Sequence, residues 1–419
     1  MRNVGTTARG IRTPIIKKGD DIAQLVVDSV IAASISDNFP IRNTDVVGIT
    51  EAVVSIALGN YATTDDVAED VRRKFPLSGP GGGPDGGLGS QGQGQGQGER
   101  HIGLLFPSPT SRNRFSPFLK GIARAADKIT MQMSFPTDVD IGNIIIPDEM
   151  LDEHNIKPTD LITQDYFDEH FSSYKHLFTG VNYVQHFREV AESENCKIEF
   201  LFANDPRVIL DYAQNILVGC IHSRDKYKKI LVQAGAAIVH KLDEIMTESI
   251  NGSGYNATYG LLGSNRSTDE QLKLFPHEAG QQVVERVQDL LYQRTGKAVE
   301  VMIFADGAFK DPIGGIWELA DPVVSPAYTK GLEGTPNELK LKYLSDSKFA
   351  DIRGEELAAA MRAEIKEKPA NLVGSMAAQG TTPRRYTDLI GSLCDLISGS
   401  GDKGTPVVLV QGYFDNYAD

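Results

Sequence analysis

Short apolar runs alternate with longer stretches of helical periodicity along most of this chain, and this alternation limits the folds that it can adopt. Runs of this length and composition are typical of buried strands, and they lie at residues 45–49, 198–202, 299–304 and 406–410. Polar capping residues precede several amphipathic stretches, which predicts helices after Asp21 and Thr63 and over residues 355–367 and 387–398. Alternating strands and helices of this kind predict an α/β fold with mixed α+β character.

Two shorter segments of the middle region refine this prediction. Asp205 followed by Pro206 is typical of a helix start, with the aspartate as cap and the proline at the first helical position. Residues 229–232 fit either a strand or a buried helix, because a short apolar run carries no decisive periodicity.

A segment rich in Gly, Pro and Gln interrupts the pattern at residues 78–98. Almost none of its side chains can enter a core, so we interpret it as a flexible, exposed insertion within one fold. Around it the chain divides into residues 1–77, an N-terminal part of the core; residues 99–245, an α/β middle region; and residues 246–419, a C-terminal part of the core with glycine-rich loops.

The charge balance limits the classes of partner that this chain can bind. The chain has 42 Lys+Arg against 56 Asp+Glu, a formal net charge of -14. Because nucleic-acid binding needs a cationic face, we expect no nucleic-acid partner. Acidic sites of this kind suit divalent cations instead.

Cysteine usage and hydropathy indicate the compartment. The three cysteines lie far apart and form neither a disulfide framework nor a CxxC metal site, which indicates a reducing environment. No apolar run approaches the length of about 20 residues that a membrane-spanning helix needs. The N-terminal residues contain no apolar signal core. We therefore expect a cytoplasmic protein without a membrane partner.

A possible metal ligand follows one of the predicted strands. Asp306 comes two residues after the end of the run at 299–304, and open α/β sheets place ligands at the carboxyl ends of their strands. A carboxylate there can hold Mg²⁺ or Mn²⁺ beside substrate phosphates, with Lys310 close enough in sequence to neutralise phosphate charge. The alternative is that Asp306 and Gly307 only form a turn.

Two basic motifs and one glycine loop are candidates for anion binding. Arg112 and Arg114 form a tight basic pair after a predicted strand, and Arg384 stands among hydroxyl residues where a helix opens. Residues 399–404 spell GxGxxG, but they follow a helix and precede a strand, which is the reverse of the dinucleotide fingerprint. Such a loop can still wrap a nucleotide phosphate, whereas the alternatives are a simple helix stop and solvated arginines.

Together the terminal motifs resemble one known family. Residues 12–21, 45–54 and 57–60 are similar to the opening of the coenzyme F-420-0:γ-glutamyl ligase family, and residues 387–391 and 399–408 are similar to its closing helix, glycine loop and strand. The likeness is greatest to the long bacterial branch, which has an extra middle region and segments similar to SRNRF, DGAFKDP, SPAY and GLEGTPNELKLKYL of this chain.

This resemblance implies a ligase that forms a carbon–nitrogen bond. GTP, or ATP, would convert a substrate carboxylate into an acyl phosphate, which the amine of L-glutamate would attack to give a γ-glutamyl amide. Mg²⁺ or Mn²⁺ would bridge the phosphates, with K⁺ as a further expected ion. The acceptor would be a cofactor such as coenzyme F-420-0 or, as in related members, a folate. The family fold is an unusual α/β arrangement, and a homodimer is expected.

The resemblance also implies a set of site residues. The metal would be held by Asp306 and Ser400, and Asp306 would act in catalysis together with Arg112 and Arg114. The basic motifs themselves, rather than the resemblance, make Arg112, Arg114 and Arg384 candidates for binding anionic substrate or phosphate groups. The nucleotide would lie against Thr13, Pro14, Ile15, Ile16, Glu51, Ala52, Asn265, Gly399, Ser400, Gly401, Asp402, Lys403, Gly404 and Arg384.

The chain departs from the family pattern at three positions. Leu262 stands where the family has an aspartate, Ile56 where it has a basic residue, and Ser400 where it often has a metal-binding glutamine. These departures motivate a second hypothesis, a protein that binds a nucleotide or a glutamyl cofactor without catalysis. A third is an enzyme that uses the same residues for a different carboxylate.

Overall fold

The structure is a computed structural model that describes residues 3–77, 98–106, 112–135, 145–176, 180–220, 223–305, 325–379, 385–399 and 401–418, with only the backbone at 112–114. All but the last residue of the predicted insertion at 78–98 lies outside the described residues. Within them the strands are β1 Thr7–Ile11, β2 Val46–Thr50, β3 Tyr61–Thr63, β4 His101–Leu105, β5 Lys128–Met133, β6 Ile162–Thr163, β7 Lys197–Phe202, β8 Asn215–Val218, β9 Ile238–Lys241, β10 Ser264–Thr268, β11 Gln271–Leu274, β12 Glu300–Phe304, β13 Ala327–Tyr328 and β14 Val407–Gln411.

The helices alternate with these strands along the chain. The α-helices of the described residues are α1 Ile22–Ser36, α2 Glu51–Leu58, α3 Thr64–Lys74, α4 Arg112–Ala125, α5 Asp148–Glu153, α6 Gln164–His170, α7 Tyr183–Glu192, α8 Arg224–Gln233, α9 Ala279–Thr295, α10 Leu341–Asp346, α11 Gly354–Glu367 and α12 Tyr386–Ile397. Short 3₁₀ helices cover Pro206–Asp211, Leu242–Glu244, Gly260–Gly263 and Lys330–Leu332. The predicted α/β fold is confirmed.

Local sequence signals account for several helix starts. The Asp21 carboxylate accepts a hydrogen bond from the backbone N–H of Gln24 and caps α1. Thr63 and Asp66 form a capping box at the start of α3. Asp205 caps the turn that begins at Pro206, although this turn is a 3₁₀ rather than an α-helix.

The described residues form two compact units. The first unit takes its residues from Met1–Leu58, Glu278–Gly307 and Val323–Asp419, and the second from Gly59–His277. The division into residues 1–77, 78–98, 99–245 and 246–419 stays a prediction about the organisation of the chain.

The first unit is built on a five-stranded sheet in the order β1-β14-β2-β12-β13. Strand β14 runs antiparallel between β1 and β2, and β12 is parallel to β2. Side chains of β2, β12 and β14 alternate between two apolar clusters, one shared with α1 and α9 and the other with α12. Because helices cover both faces, the central strands are apolar at nearly every position.

The second unit contains a six-stranded sheet in the order β6-β7-β5-β4-β8-β9 and a three-stranded sheet in the order β10-β11-β3. Strands β7, β5, β4, β8 and β9 are parallel, and only β6 is antiparallel to its neighbour. The chain therefore winds outward from β4 in both directions, as in doubly wound α/β sheets. Residues 229–232 lie in α8, so the helical alternative is the correct one for that run.

The apolar content of the described helices is below what a bilayer requires: none combines the length and hydropathy of a membrane-crossing segment.

Candidate active site

The first unit brings the two ends of the chain together at one edge of its sheet. Ile11 at the end of β1 and Ile49 near the end of β2 both pair with Val407, the first residue of β14. Phe304 at the end of β12 pairs with Thr50. The ends of β1, β2 and β12 and the start of β14 therefore lie at the same edge.

Direct hydrogen bonds tie these segments together. The backbone N–H of Thr13 donates to the carbonyl oxygen of Gly404 over 3.3 Å. The N–H of Thr50, the last residue of β2, donates to the carbonyl of Pro406 over 2.9 Å. Two predicted nucleotide segments, the one at Thr13 and the glycine loop, thus lie in contact.

The glycine loop is closed at its base by a two-bond bridge. Gly399 and Thr405 exchange backbone hydrogen bonds of 3.2 and 2.8 Å, and the N–H of Gly404 donates to the carbonyl of Gly401 over 3.2 Å. Gly404 has a φ of +63°, a left-handed conformation that favours glycine. The sequence of the loop is therefore matched to a tight turn between α12 and β14.

A cavity of about 1060 Å³ lies beside β1 in the first unit. Thr13, Pro14 and Lys403, three of the predicted nucleotide residues, line it together with the basic side chains of Arg9 and Arg12. The rest of its wall comes from α1, the end of α12 and neighbouring positions: Gly10, Ile11, Asp28, Ser29, Ala32, Ala33, Ser36, Asp37, Phe39, Ile397 and Thr405.

The charges of this cavity suit an anion. Arg12 and Lys403 make no side-chain hydrogen bond or ion pair within the described part of the chain. Asp28, which also lines the cavity, is already engaged, because a hydrogen bond from Arg294 lowers the pKa of its carboxyl. The other carboxylate on the wall is Asp37, so the three basic side chains Arg9, Arg12 and Lys403 leave a net excess of unengaged positive charge.

One polar atom of the loop supports the same interpretation. The hydroxyl of Thr405 is buried and has no hydrogen-bond partner among the residues described. A buried hydroxyl without a partner is costly, so an unused donor and acceptor at the base of the loop fits a site that is completed by a polar ligand. Phosphate groups are such ligands, and the residues present fit the phosphates of a nucleotide.

The neighbouring predicted residues differ in exposure. Ile15 is 87% exposed, whereas Ile16 is buried in the apolar cluster of the first unit. Glu51 and Ala52 open α2 directly after β2, and the Glu51 carboxyl is buried in the first helical turn, where a negative charge is favoured by the helix dipole.

Asn265 belongs to the second unit, where it lies on β10 opposite Lys273 of β11. Leu262, at the position of the family aspartate, is 8% exposed and packs in the apolar core of that unit. An apolar core residue there offers no ligand to a metal.

Not every predicted site residue belongs to the described part of the chain. Asp306, Arg384 and Ser400 lie outside the described residues, as do the side chains of Arg112 and Arg114, whose backbone forms the first turn of α4. Among the residues described, no group of three or more His, Cys, Asp or Glu side chains is arranged to hold a metal ion.

Sequence reasoning missed the basic wall of the cavity. Arg9 and Arg12 flank the motif at Thr13, and their placement at the cavity depends on β1 forming the edge of the sheet. The available signal was the spacing of two arginines immediately before the TPII motif, in a chain with an acidic net charge.

Comparison with known proteins adds one finding. No curated protein matches the sequence. The model of a protein family described as F420-0:Gamma-glutamyl ligase matches residues 10–412. This match covers nearly the whole chain and confirms both the resemblance and the predicted enzyme class. The chain therefore belongs to the F420-0:gamma-glutamyl ligase family, whose members are ligases that form an amide bond.

Proposed function

We propose that the protein is a nucleotide-driven γ-glutamyl ligase that adds L-glutamate to a carboxylate of coenzyme F-420-0 or of a related acceptor such as a folate. The observation that carries this proposal is the junction of Thr13 with the glycine loop beside a cavity with a cationic wall. A polyanionic co-substrate suits that arrangement because the basic side chains of Arg9, Arg12 and Lys403 line one cavity.

The proposed reaction has two steps. A carboxylate oxygen of the acceptor attacks the γ-phosphorus of the nucleotide, and the bond to the β-phosphate oxygen breaks, releasing the nucleoside diphosphate. The deprotonated amine of L-glutamate then attacks the acyl carbon. A carbon–nitrogen bond forms, the bond to the phosphate oxygen breaks, and inorganic phosphate leaves while the remaining excess amine proton passes to solvent.

Several residues of this chain would bind the nucleotide and balance its charge. The loop from Gly399 to Gly404 and the segment from Thr13 to Ile16 hold the nucleotide, with Lys403 and Arg12 balancing phosphate charge. A divalent cation, when bound through the oxygen ligands of Asp306 and Ser400, supplies further charge neutralisation at the phosphates.

We propose further roles for the other predicted residues and ions. Arg112, Arg114 and Arg384 would bind anionic groups of the substrates, and Glu51, Ala52 and Asn265 would contact the nucleotide. GTP is the expected nucleotide, with ATP as the alternative. Mg²⁺ or Mn²⁺ is the expected metal, K⁺ a further ion, and a cytoplasmic homodimer the expected form.

Transfer of heavy oxygen tests the acyl-phosphate step. We would label the acceptor carboxylate with heavy oxygen and follow the label by mass spectrometry. One labelled oxygen should appear in the inorganic phosphate for each amide formed. Turnover that leaves the released phosphate unlabelled would contradict the two-step route.

Replacing Asp306 by Asn tests the metal assignment. The D306N protein should lose metal-dependent turnover and keep its fold. The matched control is Asp346→Asn, which removes an exposed carboxylate of the same unit and should leave turnover unchanged. Equal turnover of the wild type and D306N would refute the role of Asp306.

A further inference from the structure

Arg9 is a half-buried guanidinium on the wall of the cavity. It lies on β1, the edge strand of the five-stranded sheet, and its guanidinium carbon stands 4.6 Å from the centre of the Phe39 ring. Because the ring face attracts the cation and limits its movement, the side chain is held in one place rather than extended into solvent.

A chain of hydrogen bonds to two buried residues, Gln411 and Asp45, fixes the position of Arg9. Its Nη1 donates to the Oε1 atom of Gln411 over 2.6 Å. The amide nitrogen of Gln411 donates in turn to a carboxylate oxygen of Asp45 over 2.6 Å and to the carbonyl oxygen of Pro40 over 2.9 Å. Gln411 is only 3% exposed and Asp45 only 1%.

The orientation of the Gln411 amide follows from its partners. The carbonyl of Pro40 can only accept a hydrogen bond, and the Asp45 oxygen facing Gln411 already accepts one from the backbone N–H of Arg42 over 2.8 Å. The NH₂ group of Gln411 must therefore face these acceptors. Its carbonyl oxygen is left pointing at Arg9, where it receives a donor.

This arrangement leaves most of the guanidinium unused. The guanidinium of Arg9 has five N–H donors. Within the described residues they make a single hydrogen bond, which goes to Gln411. The partner is a neutral amide, and among the side chains that the structure describes Arg9 makes no ion pair. The positive charge and several donors of Arg9 thus remain available at the cavity wall.

We propose that Arg9 binds a carboxylate or phosphate group of a ligand in this cavity, and that Gln411 and Asp45 are positioning residues that aim it. A guanidinium fork matches the planar pair of oxygens that a carboxylate or phosphate presents. This inference rests on the proposed function, which supplies three sources of such groups: the nucleotide phosphates, the carboxylates of L-glutamate and the carboxylates of the acceptor.

Direct binding measurements identify which ligand supplies the carboxylate or phosphate group that Arg9 binds. GTP, L-glutamate and the F-420-0 acceptor would each be titrated calorimetrically into the wild type, Arg9→Gln, Arg9→Lys and the control Arg286→Gln. The control removes a guanidinium of the same unit that pairs with Asp21 and lies outside the cavity. R9Q should lower the affinity for one of the three ligands by about tenfold to a hundredfold, and R9K should lower it by less. R286Q should leave the affinity for all three unchanged.

Gln411→Met tests the positioning role. This variant keeps the length of the side chain and removes the oxygen that faces Arg9. It should therefore lower the affinity for the same ligand by about threefold to tenfold. The double variant R9Q/Q411M should bind no more weakly than R9Q alone, because Gln411 acts through Arg9. A purely structural role would instead give losses that add.

The outcomes separate this inference from the proposed function. If the wild type binds ligands and R9Q binds all three as tightly as the wild type, the assignment of Arg9 is overturned while the ligase proposal stands. If R9Q is poorly folded by circular dichroism, R9K and Q411M decide, and unchanged affinities in both would overturn the assignment. Loss of affinity in R9Q without amide synthesis by the wild type would support Arg9 and contradict the ligase.

Discussion

The backbone N–H of Thr13 donates to the carbonyl oxygen of Gly404, so a segment near the start of the chain is fixed to a loop near its end. The antiparallel pairing of β1 with β14 makes this contact possible, because it brings the residues after Ile11 beside those before Val407. The proposed nucleotide site is thus assembled by the sheet itself, and its geometry depends on the conformation of the glycine loop.

Replacing Gly404 by Ala should strain that loop. Gly404 has a φ of +63°, where a side chain costs about 1 to 2 kcal/mol. We expect a lower free energy of unfolding of about that size and weaker nucleotide binding, measured by chemical denaturation and calorimetry. Gly401→Ala is the matched control for stability, since its φ is ordinary and a Cβ atom there would meet nothing within 4 Å. Equal stability of the two variants would contradict the account of the turn.

Gly48, in the middle of β2, should not tolerate a methyl group. A Cβ atom there would lie 2.5 Å from the Sγ atom of Cys394 on α12, so Gly48→Ala should destabilise the protein by about 1 to 3 kcal/mol. Adding Cys394→Ala removes the sulfur and should recover part of this loss. Recovery should be incomplete, because Phe304 would still lie 3.3 Å away.

Urea unfolding of the two single variants and the double variant measures this coupling. The two changes should be non-additive by about 1 kcal/mol or more, since they share one contact. Strictly additive losses would show that α12 does not pack on β2 as described.

Glu270 should make the free energy of unfolding depend on pH in the acidic range. The Lys120 ammonium, the Thr64 hydroxyl and the Arg124 guanidinium lower the pKa of this carboxyl from 4.5 to about 2. Because the pKa is lower in the folded state, the stabilisation is present above pH 4.5 and is lost as the pH falls towards 2. The free energy of unfolding should therefore fall more steeply over this range in the wild type than in Glu270→Gln.

A control separates this effect from the general effect of acid. Glu153→Gln removes an exposed carboxylate of the same unit that makes no ion pair among the described residues, and it should keep the slope of the wild type. Identical slopes for all three proteins between pH 4.5 and 2 would mean that the cluster around Glu270 is not formed in solution.

Local signals were enough to predict much of the fold. The caps at Asp21 and Thr63 and the apolar runs that became β2, β7, β12 and β14 depend on neighbouring residues, which the sequence displays directly. Residues 229–232 stayed ambiguous, because a strand and a buried helix give the same short apolar run.

Long-range pairing was beyond such reasoning. That β14 lies between β1 and β2 follows from the pairing of residues at opposite ends of the chain, and no local pattern encodes it. The bond from Arg9 to Gln411 depends on the same pairing, so the basic wall of the cavity was missed. Conversely, the family motifs located Thr13 and the glycine loop, which the sheet does bring together.

The most direct test of the central claim is the formation of product by the purified protein. It would be incubated with L-glutamate, GTP or ATP, Mg²⁺ or Mn²⁺, and a panel of acceptors that includes coenzyme F-420-0 and folates, and the products would be identified by mass spectrometry. The account predicts an acceptor heavier by one glutamyl residue, with one nucleoside diphosphate for each amide. Nucleotide binding without any gain of mass in coenzyme F-420-0 or the folates would contradict it and favour a protein that binds without catalysis.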